Sequence, residues 1–341
     1  MPHREFLYVS NADVKAVLTP ADSVRLARET LSQQAAGMVD WAVPRQTNLA
    51  VSDVPTFYKV KGCALRETGV AGFRVVGLNR TEAGYAVAAY RPTKNVLLSD
   101  IPTGTFFAVV DERWAYGLRT GACAAVAVEA LSNPDSTDCS FIGTGPMNYA
   151  AALAVNEVKQ LDVVRVHSRT PEKRQEFADR LEAAIGVRVE VYADAESCIR
   201  DASAVVTATV AQEPFLKHSW LQPGAVVYAM GGGHEWERES YQKMRVIVDD
   251  REQSKFVTEI RQWMADGTFD HSRDVEADLA EVTSGAAGQR ASADDQFFVR
   301  SQGLVTQDVA QAYWVYTEAV KRGLGTSLEG SLVERPEDDL F

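Results

Sequence analysis

The chain has 341 residues, 46% of them hydrophobic, 24% charged and 9% aromatic, enough to bury one large core or two ordinary ones, which excludes the disordered, fibrous and collagen-like classes. With 47 acidic against 35 basic side chains the net charge is −12, which argues against nucleic acid or an anionic membrane as partner, so an anionic ligand has to be met by local positive charge. The longest uncharged stretches, 139–156 and 218–234, are interrupted by polar residues, Gly or Pro and fall short of the ~20 apolar residues of a membrane helix. The start, MPHREFLYVS, lacks the apolar core of a secretory signal, so a cytoplasmic protein is expected. Four cysteines without CxxC spacing and five histidines without an HExxH pair predict neither a metal site nor a disulfide framework.

In chain order, Ala12, Val14, Val17 and Leu18 begin an apolar helical face that Val24, Leu26, Ala27 and Leu31 continue, so residues 12–37 read as a helix that Pro20 breaks in two. From 44 to 110 the pattern changes to short β-rich runs at 72–77, 86–90, 95–98 and 105–110, separated by Gly, Pro, Asn and Asp. They predict an antiparallel sheet packed on that helix. The Ala-rich stretch 119–131 reads as a helix ended by Asn133-Pro134-Asp135, near a domain boundary. Strands at 139–142, 163–167, 187–192, 202–210, 225–230 and 245–249 then alternate with helices, two of them at 147–159 and 171–184. Val/Ile/Ala runs of this kind predict parallel strands covered on both faces, a doubly wound α/β domain. Residues 307–322 form a last amphipathic helix, and the acidic ending is expected to be a loose tail.

The strand at 139–142 runs into Gly143-Thr144-Gly145-Pro146-Met147-Asn148 and an Ala-rich helix, so GxGxxN stands where a dinucleotide-binding turn has GxGxxG. Gly143 permits the tight turn and Gly145 lets the backbone approach a pyrophosphate, whose charge the helix amides favour; a plain strand-to-helix turn would carry the same glycines. The second strand ends at Ser168, Arg169 and Thr170 with no carboxylate for the ribose hydroxyls. Those residues suit a 2′-phosphate, so NADP(H) is preferred and NAD(H) possible. Thr207, Ala208, Thr209, Met230 and Gly231 stand at later strand ends, where open α/β sheets bind ligands, and are assigned to the nicotinamide side.

Pro44-Arg45, the GFRVV run containing Arg74, Leu118-Arg119-Thr120-Gly121-Ala122, and Ser301-Gln302-Gly303-Leu304 with Asp308 resemble, in order and spacing, the ornithine cyclodeaminase/mu-crystallin family over nearly the whole chain. The resemblance implies a substrate-binding and dimerisation domain made from 1–118 plus 305–341, with a Rossmann domain at 119–304 inserted into it, and a homodimer. It implies NAD(P)-dependent chemistry on a small imino or amino acid whose carboxylate is held by Arg45, Arg74 and Arg119, with Thr120 counted among the cofactor residues. Arg74 stands where the family has Lys, and a guanidinium binds carboxylate but cannot shuttle a proton, so Lys61 or Lys59 is a candidate amine. The acid–base Asp that cyclodeaminases carry after the glycines of the fifth strand is absent; His234 and Glu235 are candidates to move the proton there. Asp308 reads first as a helix-terminus charge. The implied activity is imine or ketimine reduction of the amino acid dehydrogenase type; the alternatives are a cyclodeaminase-type ammonia lyase and a mu-crystallin-like, NADPH-dependent binding protein.

Overall fold

Two sequence patterns, alternating in the first third and continuous in the middle, build two cores. The computed structural model describes residues 6–81, 84–85 and 93–328; the strand expected at 86–90 and the acidic ending lie outside them. The elements run β1 (Phe6–Val9), α1 (Asn11–Val17), α2 (Pro20–Ala35), β2 (Val39–Trp41), β3 (Thr47–Ala50), β4 (Thr56–Leu65), β5 (Val70–Thr81), β6 (Gly84–Tyr85), β7 (Thr93–Asp100), β8 (Phe106–Asp111) and α3 (Arg113–Leu131). There follow β9 (Asp138–Ile142), α4 (Pro146–Asn156), β10 (Val163–His167), α5 (Pro171–Ile185), β11 (Arg188–Val191), α6 (Ala195–Ile199), β12 (Ala204–Thr207), β13 (Val226–Ala229), α7 (Arg238–Lys243), β14 (Arg245–Val248), α8 (Arg251–Ser254), α9 (Thr258–Ala265), α10 (His271–Asp274), β15 (Val275–Asp278), α11 (Leu279–Ser284), β16 (Phe297–Arg300), α12 (Val305–Arg322) and β17 (Thr326–Leu328).

One unit comprises 1–19, 36–116 and 305–341. Its sheet has the order β17-β1-β8-β7-β5-β4-β2, with β3 added to β4 and β6 to β5. Its pairs are antiparallel, as expected, apart from the parallel pair β1/β8. Alternation puts Cys63, Leu65, Gly72, Val76, Val96 and Leu98 on the buried face, which α12 covers; a Cβ at Gly72 would lie 2.7 Å from Val309, so only glycine lets the helix seat this closely.

The other unit comprises 20–35 and 117–304. Its eight strands are all parallel, in the order β11-β10-β9-β12-β13-β16-β14-β15, the doubly wound arrangement expected. β16, a four-residue run too short to stand out in the sequence, enters between β13 and β14. The helical stretch at 12–37 is broken at Pro20 as read, with Pro20 the first residue of the second helix, where a proline costs no hydrogen bond. One expectation is corrected. That second helix, α2, buries Val24, Leu26, Ala27 and Leu31 in the Rossmann unit, beside α4 and α11, rather than under the antiparallel sheet; the two compact units divide at 116/117, within α3. Cys63, Cys123, Cys139 and Cys198 are buried free thiols. No helix among the described residues is long and apolar enough to cross a membrane.

Candidate active site

The carboxyl ends of the parallel strands gather most of the residues singled out for the cofactor. Gly143 has φ +103°, donates to His167 O at 2.8 Å, and approaches the turn after β12 so closely that a Cβ would lie 2.7 Å from Ala208 O. Only glycine fits there. Gly145 is the N-cap of α4 with Pro146 at its first turn; it offers no side-chain cap, and no atom lies within 4 Å of where its Cβ would stand. The open cradle and the side-chain-uncapped amides at Met147 and Asn148 fit a pyrophosphate. Asn148, fully buried in place of a third glycine, donates Nδ2–H to Ile142 O and Gly143 O, both at 2.7 Å, and so pins the turn from inside the helix.

Thr144 Oγ1 meets Ser168 Oγ at 3.0 Å, joining the first two strand ends. Arg169 and Thr170 are exposed, Thr170 being the N-cap of α5. Arg174 is buried and donates to Tyr192 O at 2.5 Å, which ties α5 to the end of β11. Residues 167–170 contain no carboxylate, so the residues present suit either a ribose hydroxyl or a phosphate.

At the next strand ends, Ala208 N donates to Ile142 O at 3.1 Å and Met230 N to Thr207 O at 3.0 Å. Glu235 accepts from Thr207 Oγ1 at 2.6 Å and from Thr209 N at 2.5 Å, and a Cβ on Gly231 would stand 2.6 Å from its Oε1. Both carboxylate oxygens therefore brace the end of β12. Burial raises the Glu235 pKa, and the bonds from Thr207 and Thr209 offset part of that. The half-buried His234 ring packs edge-on to Trp263, centroids 5.7 Å apart, and its backbone N–H bonds Ala211 O.

A raised carboxyl pKa means that the folded state holds its proton more tightly, so the stability Glu235 contributes is full below the ordinary carboxyl pKa of ~4.3 and declines as pH rises through the folded value. Glu235→Gln keeps one acceptor and is expected to gain on wild type steadily as pH rises above ~4.3, in urea titrations over a pH series. A difference independent of pH would show that Glu235 is not a desolvated carboxyl.

The Ser301–Leu304 segment is held by a residue absent from the sequence reading, Asp249, which accepts from Ser301 Oγ at 3.0 Å, Gln302 N at 2.7 Å and Gly303 N at 2.5 Å. Its signal was a carboxylate closing the strand read at 245–249. Gly303 has φ +84°, and any Cβ there would collide with the guanidinium of buried Arg119. Arg300 donates Nε–H to Glu259 at 2.7 Å and NH1 to Ala229 O at 3.1 Å and Gly231 O at 3.2 Å, tying β16 to the end of β13. Thr120 is buried on α3, and a Cβ on its neighbour Gly121 would fall 2.6 Å from Ala150 O, so the motif's glycine sets the close approach of α3 to α4.

Taken by itself, the antiparallel unit brings together Arg45, Lys61 and Arg74. Arg45 stacks on Trp41 with its guanidinium carbon 3.8 Å from the ring centroid, and Trp41 pairs with Cys63. Burial pushes the Cys63 thiol up; Asp308 adds to this and Arg45 opposes it, so both charges reach that point. Lys61 and Arg74 face each other across β4 and β5, with exposures of 5% and 6%. Arg74 Nε donates to both oxygens of Glu112, at 2.8 and 2.7 Å, and lies 3.4 Å from Asp308. One edge of this guanidinium is thus committed to protein carboxylates. Asp308, read as a helix-terminus charge, is indeed in the first turn of α12, but it is buried and also faces Arg74.

The profile of the Ornithine cyclodeaminase/mu-crystallin family matches residues 7–323. The chain is 30% identical over 244 residues to a Delta(1)-pyrroline-2-carboxylate reductase of Bacillus cereus, covering 69% of this chain and 73% of that one. It is 29% identical over 226 residues to the ketimine reductase mu-crystallin of Mus musculus, covering 65% and 68%. Among solved structures, an archaeal alanine dehydrogenase dimer with bound NAD superposes with a TM-score of 0.87 at 25% identity, over 96% of this chain and 99% of the other.

Proposed function

Because the chain belongs to the ornithine cyclodeaminase/mu-crystallin family, we propose that it is an NAD(P)H-dependent oxidoreductase acting on C–N bonds, a reductase of a small α-imino acid. The observation that carries this reading is the cradle at the end of β9: Gly143 at φ +103°, the open approach at Gly145 and the uncapped start of α4. When bound, the reduced nicotinamide supplies the hydride for the C=N carbon and leaves oxidised. The chain's own residues bind and orient. The resemblance assigns the substrate carboxylate to Arg45, Arg74 and Arg119; in the antiparallel unit, Arg45 and the remaining donors of Arg74 offer it charge-assisted bonds. Lys61, whose ammonium has three donors, is the group assigned to protonate the nitrogen. The Asp of cyclodeaminases is replaced by Gly and His234, which favours reduction over ammonia loss.

The test is oxidation of NADPH and NADH by purified protein offered cyclic ketimine carboxylates and mixtures of 2-oxo acids with ammonia or methylamine. Turnover supports the reading. Saturable cofactor binding with no turnover on any imine would replace it with a binding protein. For the cofactor, NADP(H) is the proposed preference, supported by Ser168, exposed Arg169 and Thr170 at the end of β10. Arg169→Ala is expected to raise the KM for NADPH about tenfold and leave that for NADH unchanged. Equal changes for both would remove Arg169 from the phosphate site.

A homodimer is proposed on the open face of the antiparallel sheet. There Tyr58, Val60, Phe73 and Val75 are 36–40% exposed and adjacent by register, an apolar patch of the kind that marks an interface. Val75→Lys is expected to convert a dimer to a monomer in sedimentation velocity. A monomeric wild type would refute the assignment.

A further inference from the structure

We propose that the peptide of Gly232 is where the carboxamide of the nicotinamide binds. The proposal rests on reading the chain as a nicotinamide-dependent enzyme, and it adds the contact point for the reacting half of the cofactor. Its basis is a contrast among glycines. A chain needs glycine where the backbone is left-handed or where a neighbour stands too close for a Cβ. In the Rossmann unit two glycines, Gly145 and Gly232, show neither: their backbone is not left-handed, and no atom lies within 4 Å of where a Cβ would stand. Gly145 is the open approach to the pyrophosphate at the start of α4. Gly232 is exposed just beyond the carboxyl end of β13.

The residues on either side of Gly232 are fixed, so its openness is not that of a loose loop. Met230 N donates to Thr207 O at 3.0 Å, and Gly231 O accepts from Arg300 NH1 at 3.2 Å. A Cβ on Gly231 would stand 2.6 Å from Glu235 Oε1, and one on Gly233 would collide with Ala211 O. His234 N donates to that same oxygen at 2.8 Å, and Glu235 O accepts from Phe215 N and Leu216 N, both at 3.0 Å. In this run of three glycines the outer two are required by protein neighbours and the middle one is not. The N–H and C=O of Gly232 have no hydrogen-bond partner among the described residues. A braced frame thus presents one bare peptide, a donor and an acceptor, where open α/β sheets bind ligands.

The strand order decides which part of the ligand arrives there. Gly145 follows β9, and the order β10-β9-β12-β13 puts β10 on one side of it and β13 two strands away on the other, a separation of ~10 Å. Between β9 and β12 the chain changes direction across the sheet, the switch point over which a dinucleotide lies. Ser168, Arg169 and Thr170 at the end of β10 suit the phosphate-bearing ribose, so the redox half lies over β12 and β13. One ribose and one ring separate the pyrophosphate from the carboxamide, a span of the order of two strand spacings. The carboxamide has two N–H donors and a C=O acceptor, the complement of the bare peptide.

The experiment measures dissociation constants by titration calorimetry, without turnover, for NADPH and for 2′-phospho-ADP-ribose, the same nucleotide lacking nicotinamide. If the wild type prefers NADH, then NADH and ADP-ribose take their place. Gly232→Ala is expected to weaken NADPH binding at least tenfold and binding of the fragment less than twofold. The Tm of the unliganded variant is expected to be unchanged or slightly raised, since the methyl meets no protein atom. Gly145→Ala is expected to weaken both ligands, and Gly231→Ala and Gly233→Ala to lower Tm. NADPH held by Gly232→Ala as tightly as by wild type overturns the proposal, even where the KM for an imine rises, because the methyl then meets the substrate. An equal loss of NADPH and fragment binding overturns it as well, because the whole cradle has then moved. Both results leave the cofactor reading standing. Wild-type protein that binds no nicotinamide nucleotide removes that reading and the proposal together. Binding without turnover on any imine removes the reductase reading only, and the same constants still decide the role of Gly232.

Discussion

Replacing Arg119 by methionine is expected to lower kcat/KM for the imine about 10³-fold while the dissociation constant for NADPH stays within a factor of two. The magnitude is that of removing one partner from a desolvated, charge-assisted pair, about 4 kcal/mol. Arg119 is 3% exposed, and its guanidinium lies against Gly303, whose N–H is held by Asp249. The contact supplies a second, independent variant. Gly303→Ala puts a methyl into the guanidinium and strains a backbone at φ +84°, so it is expected to reproduce part of the Arg119→Met loss without removing any charge. Because both changes act on the same group, the double variant is expected to be no worse than Arg119→Met alone. Additive losses would mean that Gly303 acts elsewhere. A loss under tenfold in Arg119→Met would remove it from carboxylate binding.

Arg74→Met is expected to be the most destabilising single change in the antiparallel unit, by about 3–5 kcal/mol in urea denaturation. The reason is asymmetry. The ion pair itself, with side-chain exposures of 7% for Arg74, 2% for Glu112 and 1% for Asp308, is no strong source of net stability, since all three groups were taken out of water. Removing the cation takes from two buried carboxylates the guanidinium that both of them face. Arg74→Lys, which restores a charge but not the fork on Glu112, is expected to recover more than half of the loss. A cost below ~1 kcal/mol in Arg74→Met would show that neighbouring Lys61 can neutralise both carboxylates alone.

These two arginines also show how far a sequence can be read. Local pattern was sufficient wherever a residue's role is set by its chain neighbours. The Val-rich runs from Cys139 onward announced parallel strands because a strand buried on both faces has no polar side to show, and Gly143 and Gly145 announced the turn because of where that strand ended. The same holds for the missing carboxylate at Ser168–Thr170. What the pattern could not carry was any role created by residues distant in the chain. Pro20 was legible as a break, but that α2 leaves the sheet for the Rossmann unit depends on α4 and α11, more than a hundred residues away. Asn148 looked like a defective glycine and is a pin for the turn.

Glu235 looked like an acid–base candidate because a carboxylate after a strand end is one by type. Only its two hydrogen bonds, to Thr207 and Thr209, reveal a brace. Arg74, Glu112 and Asp308 are 38 residues or more apart in sequence and become one buried charge group only when β5, the end of β8 and the start of α12 meet. Hydrophobic period and turn chemistry are properties of a few consecutive residues, so the sequence by itself determined the fold class, the place of the cofactor turn and the residue types of the site. Burial and charge pairing are properties of residues that meet in space, so only the tertiary structure decided that Arg74 faces Glu112 and Asp308 and that Glu235 bonds Thr207 and Thr209.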